Sequence, residues 1–167
     1  MNWKHAANGA LAGATLLIAA CGAPGPTGGY GSTAYGSSSS PATNPAGALT
    51  VGLRSTPLGQ ILVDGNGKTL YLFEADMSAK STCYGDCASV WPPLLTGGSP
   101  VAGPGVSQSL LTTTTRTDGS REVVYDGHPL YYFVSDKQAG DTTGQGISSF
   151  GANWYVLSAA GTKVDKG

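Results

Sequence analysis

Apolar and polar residues follow three regimes along this chain. From Ala10 to Ala20 the residues are mostly apolar, but the run falls short of the roughly 20 residues a membrane-spanning helix needs. From Gly22 to Ala48 the chain is built of Gly, Ser, Pro, Ala and Thr, with large aliphatic residues missing. From Leu49 onward, short apolar stretches alternate with clusters of turn-forming residues, the pattern of β-strands joined by tight connections.

Within this last regime one arrangement occurs twice. Ile61-Leu62-Val63 is apolar and partly β-branched, Asp64-Gly65-Asn66-Gly67 tolerates positive φ, and Thr69 to Phe73 reads as the return strand of a hairpin. The order recurs as Glu122 to Tyr125, the tighter turn Asp126-Gly127-His128-Pro129, and Leu130 to Phe133. Each copy then runs through a polar stretch to a tryptophan with apolar company: Trp91-Pro92-Pro93-Leu94-Leu95 and Trp154-Tyr155-Val156-Leu157. Shared turn, aromatic strand and tryptophan mark an internal repeat. Further strands are predicted around 110–115 and 154–157, with a short helix or irregular loop across 82–90. The expected fold is mainly β: a single antiparallel β domain over residues 49–167, sandwich- or barrel-like, built from two repeats at about 58–95 and 121–158.

Successive side chains of a strand point to opposite faces, so Leu70 and Leu72 share one face while Tyr71 and Phe73 share the other. The second copy sets Leu130 and Tyr132 against Tyr131 and Phe133. Both faces are apolar, which predicts strands covered on both sides. The Tyr and Phe face is expected in the core where the two copies meet, with Trp91 and Trp154 as core anchors.

Charge changes the picture by what it excludes. Charged residues are 11% of the chain, against about 25% in an average soluble protein, and the formal net charge is −1. With no basic cluster, the chain carries no footprint for nucleic acid and no electrostatic hold on anionic lipid.

The amino terminus defines a location. Lys4 and His5 precede the apolar run, which closes on small residues before Cys21; this is the build of an export signal covering residues 1–20. Ile18-Ala19-Ala20-Cys21 resembles the lipobox of bacterial lipoproteins, and the resemblance implies cleavage before Cys21 and acylation there. Two or three acyl chains anchor stably where one holds only marginally. Residues 21–48 then form a lipidated cysteine and a disordered tether, with a random-coil span of roughly 30 Å. Tyr30 and Tyr35 are incidental aromatics within it. The expected site is the bacterial cell envelope, lipid-anchored on the extracytoplasmic side; with Gly22 after the cysteine, lipoprotein analogy points to the outer membrane if the cell is Gram-negative.

Export also bears on chemistry. Once Cys21 is lipidated, Cys83 and Cys87 remain, and an oxidising compartment favours a disulfide between them. The alternative is a soft-metal site for copper, with Cys83 and Cys87 joined by Met77 and His128. His128 follows Asp126-Gly127 in a turn and has no Gly-x-Ser-x-Gly element to serve, so a histidine-dependent hydrolase is not expected. Asp76 and Asp136 end two strands, where a carboxylate accepts hydrogen bonds from the next turn's amides. Paired acids for glycoside cleavage, or a Ca²⁺ site, are the sharper readings of those two residues. The loop from Gly140 to Gly146 lacks the lysine of a phosphate-binding loop.

The units Tyr71-x-Phe73-x-x-Asp76 and Tyr131-x-Phe133-x-x-Asp136, behind a lipobox, resemble the bacterial "secreted repeat" proteins, a family of lipoproteins of unknown function. Cys83-Tyr84-Gly85-Asp86-Cys87 and Trp91-Pro92-Pro93-Leu94 also match that family's pattern. The resemblance implies the envelope location and supplies no activity. With no catalytic constellation or cofactor fingerprint in the sequence, the expected role is a non-catalytic binding or structural module without a cofactor. Its partners would be the membrane, through the lipid, and an unknown envelope protein or small ligand. The alternatives are a copper or redox protein and an enzyme acting on carbohydrate through Asp76 and Asp136.

Overall fold

Short hairpins and strands exchanged between the two copies arrange the chain. The structure, a computed structural model, describes residues 48–166; the signal, Cys21 and nearly all of the tether lie outside the described residues. The strands are β1 (Thr50–Thr56), β2 (Gly59–Asp64), β3 (Tyr71–Phe73), β4 (Val101–Ala102), β5 (Leu111–Thr115), β6 (Arg121–Tyr125), β7 (His128–Pro129), β8 (Ser148–Ser149) and β9 (Ala152–Val156). A short helix, α1 (Asp86–Val90), occupies the stretch read as helix or loop. Three small sheets result, in the orders β2-β1-β4, β3-β9-β8 and β5-β6-β7. Pairing is antiparallel except where β1 meets β4 in parallel. The fold is mainly β, as expected. Among the described residues no helix is long and apolar enough to cross a membrane.

The second copy's turn is tighter than its sequence suggested. Asp126 and Gly127 alone make it, with φ of 47° and 80°, the twist that closes a two-residue hairpin. His128 and Pro129 already pair with Tyr125 and Val124.

The first copy's return strand is the clearest departure from expectation. Asp64 Oδ1 accepts the amides of Asn66 and Lys68, each at 2.9 Å, and the ladder back onto β2 lasts only through the Val63–Thr69 bridge and the Leu70 amide to Leu62. β3 then leaves β2 and pairs with β9 of the second copy, Tyr71 opposite Val156 and Phe73 opposite Trp154. The second copy mirrors this. Leu130 donates back to Val123, and the chain then pairs with the first copy's tryptophan segment, Leu94 donating to Leu130 at 2.7 Å and Tyr132 to Pro92 at 2.8 Å. A strand that bonded only within its own copy would leave two marginal hairpins; exchanging partners makes one body.

The two faces of these strands separate the interior into two clusters. Leu70, Leu72 and Leu130 pack with Val51, Leu62, Leu94, Val123 and Leu157. Tyr71, Phe73 and Tyr131 pack with Trp91, Trp154, Ile61 and the two cysteines, and Phe133 lies against them half-buried. Both faces are therefore covered, as the alternation predicted. Each fully buried large side chain here contributes about 1.5–3 kcal/mol of transfer free energy.

Candidate functional site

The repeated motif residues meet at the centre of the molecule. Tyr71 and Tyr131 exchange backbone hydrogen bonds, 2.9 Å from Tyr71 N to Tyr131 O and 3.0 Å in return. Their phenols cross over: Tyr71 donates to Asp136 Oδ2 and Tyr131 to Asp76 Oδ2, both at 2.6 Å. The other oxygen of each carboxylate is held locally. Thr82 gives Asp76 its amide at 2.7 Å and its hydroxyl at 2.6 Å, and Thr143 does the same for Asp136 at 3.0 and 2.5 Å. Tyrosine and aspartate of one motif are thus partners of the opposite motif. Burial, then the adjoining carboxylate, pushes the Tyr71 phenol above its usual range; burial, then Glu122 and Asp76, does so for Tyr131.

The aromatic residues exchange in the same way. Phe73 stacks on Trp154 at 4.0 Å, Trp154 on Trp91 at 4.0 Å, and Trp91 on Phe133 at 4.2 Å. Tyr71 meets Trp91 edge-on, and Tyr131 meets Trp154 edge-on. Both indole N–H groups end on Ser149, Trp91 at the hydroxyl and Trp154 at the carbonyl. The Gly140–Gly146 loop closes this stack: a Cβ on Gly144 would stand 2.8 Å from the Trp91 ring and 2.9 Å from Tyr71. Replacing Tyr71 or Tyr131 by Phe leaves a buried carboxylate oxygen without its donor. Each change is expected to cost about 1–3 kcal/mol, read as a lower urea midpoint. An unmoved midpoint would mean that the carboxylates are held from elsewhere.

A buried ion pair extends from the first motif. Arg116 donates to Ser81 Oγ at 2.7 Å, to Glu122 Oε2 at 2.8 Å and to the Cys83 carbonyl at 2.7 Å, with the Tyr84 ring 4.3 Å from its guanidinium. Ser81 Oγ also lies 2.6 Å from the Tyr131 hydroxyl. Burial pushes the Glu122 carboxyl up to about 7 against the opposing pull of Arg116. The folded state therefore holds a proton on Glu122 more tightly than the unfolded chain does. The associated stability is fully present below the ordinary carboxylate range and is lost as pH rises through about 7. Unfolding midpoints are expected to fall between pH 5 and pH 8, with a smaller fall in Glu122→Gln. An identical fall in that variant would assign the pH dependence to another group.

On the surface, a hollow of about 500 Å³ opens between the segment after β3 and the β6–β7 turn. Leu72, Phe73 and Asp76 line it from the interior side, and Met77, Asp126 and His128 stand around it. Glu74 and Lys163 close one flank with an ion pair at 2.7 Å. Lys163, then Asn153, holds the Glu74 carboxyl below its usual range, and Glu74 holds the Lys163 ammonium above its own.

Several candidate residues take a different place from the sharper readings of the sequence. Cys83 and Cys87 are joined as a disulfide, Cα atoms 5.2 Å apart, and both are buried. The copper alternative of Cys83, Cys87, Met77 and His128 is therefore not assembled. Its sulfurs are bonded to each other, while Met77, 92% exposed, and His128 meet at the hollow, which neither cysteine lines. Among the described residues no group of three or more His, Cys, Asp or Glu is placed to hold a metal ion. Asp76 and Asp136 are each filled by donors on both oxygens. Arg116, Ser81 and Lys163 drew no reading from the sequence, and Leu72 and Asp126 were read there as a strand position and a turn residue rather than as lining of a hollow. Glu122 gave one signal: it shares strand parity with Val124, an inward position.

A family model described as a secreted repeat of unknown function matches residues 52–95 and 112–158, just over half of the chain. The chain belongs to that family. No curated protein and no solved structure matches it. Each secreted-repeat match starts a strand earlier than the limits read from the aromatic motif, taking in β1 and β5. In this chain each matched repeat holds a hairpin, the aromatic motif and the tryptophan segment.

Proposed function

We propose that this secreted-repeat protein is a lipid-anchored, non-catalytic binding module of the bacterial cell envelope, tethered through Cys21 on the extracytoplasmic side. The observation that carries the non-catalytic reading is the use made of the motif. Tyr71, Phe73, Asp76, Tyr131, Phe133 and Asp136 spend their polar atoms and rings on joining the two copies. A general acid or base needs a free oxygen to exchange a proton with substrate, and both oxygens of Asp76 and of Asp136 are taken by donors of the protein. The hollow beside His128 is the concave feature that supports binding. Anchoring is supported by the apolar run closing on Cys21.

Expression of the full chain in a bacterial host fed labelled palmitate tests the anchor. Wild type should carry label and pellet with membranes, and Cys21→Ser should lose both. A Cys21→Ser chain that still pellets with membranes would remove the lipid from the proposal. Turnover of cell-wall glycan by purified protein, abolished in a folded Asp136→Asn variant, would overturn the non-catalytic half.

A further inference from the structure

The two copies correspond along their motif strands, and within those strands one position differs in an informative way. Leu70-Tyr71-Leu72-Phe73 corresponds to Leu130-Tyr131-Tyr132-Phe133, and the turn starting at Asp64 corresponds to the turn starting at Asp126. In the second copy Tyr132 is half-buried, and its phenol donates to Asp64 Oδ2 of the first copy at 2.9 Å. Lys68 stands over that ring at 5.6 Å. The loop after the second motif closes the same end: Gly140 donates to the Gly67 carbonyl at 2.9 Å, and Thr69 to the Asp141 carbonyl at 2.6 Å.

At the opposite end the phenol has no counterpart, and the turn is two residues shorter, without equivalents of Asn66 and Gly67 and with Pro129 in the place of Thr69. Leu72 stands where the other copy has Tyr132, Asp126 where it has Asp64, and His128 where Lys68 covers the ring. Those three residues line the hollow, together with the loop at Met77. The Asp126 side chain is exposed and, among the described residues, receives no hydrogen-bond donor, whereas Asp64 is buried and receives two amides of its own longer turn on Oδ1 and the Tyr132 phenol on Oδ2. The hollow thus lies where the first copy carries Leu72 in place of the second copy's Tyr132.

We propose that the hollow takes a phenol ring supplied from outside, its hydrocarbon edge on Leu72 and Phe73, its hydroxyl donating to Asp126, and His128 beside the ring. The inference rests on the binding role proposed above and names its ligand class. An aromatic ring bearing a hydroxyl matches the lining: an apolar floor at Leu72 and Phe73 and an acceptor at the rim. A tyrosine side chain of a polypeptide and a free small phenol offer the same chemistry.

Titration of the full chain, followed through the His128 imidazole proton signal in NMR and assigned with His128→Gln, tests it. p-Cresol and the peptide Gly-Tyr-Gly should shift that signal saturably. Toluene and Gly-Phe-Gly, which lack the hydroxyl, should bind roughly tenfold or more weakly, the scale of one hydrogen bond to a charged acceptor. Leu72→Tyr should fill the hollow and abolish both shifts. Asp126→Asn keeps the turn, since Asn tolerates positive φ, and should bring p-cresol close to toluene while leaving toluene unchanged. Tighter binding of Gly-Tyr-Gly than of p-cresol would identify a polypeptide source, and equal binding a free phenol. A signal that does not saturate, equal affinity for p-cresol and toluene, or undiminished binding in folded Leu72→Tyr would overturn the proposal. Should Leu72→Tyr not fold, the phenol-to-hydrocarbon ratio and Asp126→Asn still decide. None of these outcomes alters the membrane partition of Cys21→Ser, so anchor and ligand fail separately.

Discussion

Trp91→Ala is expected to lower the unfolding free energy by about 3–5 kcal/mol, the range for removing a large buried aromatic side chain. Trp91 is fully buried, sits second to last in the stack Phe73–Trp154–Trp91–Phe133, and is met edge-on by Tyr71. Its loss opens a void bordered by both copies and strands Phe133 without its stacking partner. Against a total stability of about 5–15 kcal/mol for a domain, that loss leaves the fold marginal. Urea unfolding followed by far-ultraviolet circular dichroism measures it. Trp91→Phe, which keeps a ring in the stack, should cost less than Trp91→Ala. A loss below about 1 kcal/mol in Trp91→Ala would show that the stack is not where the two repeats are held.

The second large effect belongs to Arg116. Arg116→Ala leaves the Glu122 carboxylate at 0% exposure without its cation, and breaking a buried pair on one side costs about 3–5 kcal/mol. The cost depends on pH in a definite direction. At pH 5 a proton can neutralise Glu122, whereas at pH 8 the folded state must either hold the charge unpaired or take up a proton from dilute solution. Arg116→Ala should therefore be more damaging at pH 8 than at pH 5. The double change Arg116→Met with Glu122→Leu removes both charges and should restore much of the loss, since apolar replacements of buried pairs are often neutral or stabilising. Equal destabilisation at both pH values would mean that Arg116 acts through its bonds to Ser81 and the Cys83 carbonyl rather than through charge.

Both predictions concern contacts of different legibility. The stack was foreshadowed, because alternation along Leu70–Phe73 and Leu130–Phe133 put the rings on one face, and a strand with two apolar faces has to be covered twice. Arg116 was not foreshadowed: one arginine beside a turn looks like any solvated charge, and its burial follows from the first copy's segment from Ser81 to Cys83 folding over it. β1 also went unread. Thr50–Thr56 has weak alternation and borrows its inward order from pairing with β2.

Local pattern was sufficient for the kind of structure and the inward turn of the aromatic face, because each depends on residues within a few positions of one another, and the recurrence of that pattern was sufficient for the duplication and the family. Partner choice lay beyond it. That Tyr71 holds Asp136 rather than Asp76, and that β3 pairs with β9 rather than with β2, follows from long-range hydrogen bonding between copies so alike that the sequence contains the same donors and acceptors for either arrangement. The hollow at Leu72 has the same origin: a leucine in place of a tyrosine gains meaning only once the opposite end of the fold shows Tyr132 reaching Asp64 of the other copy.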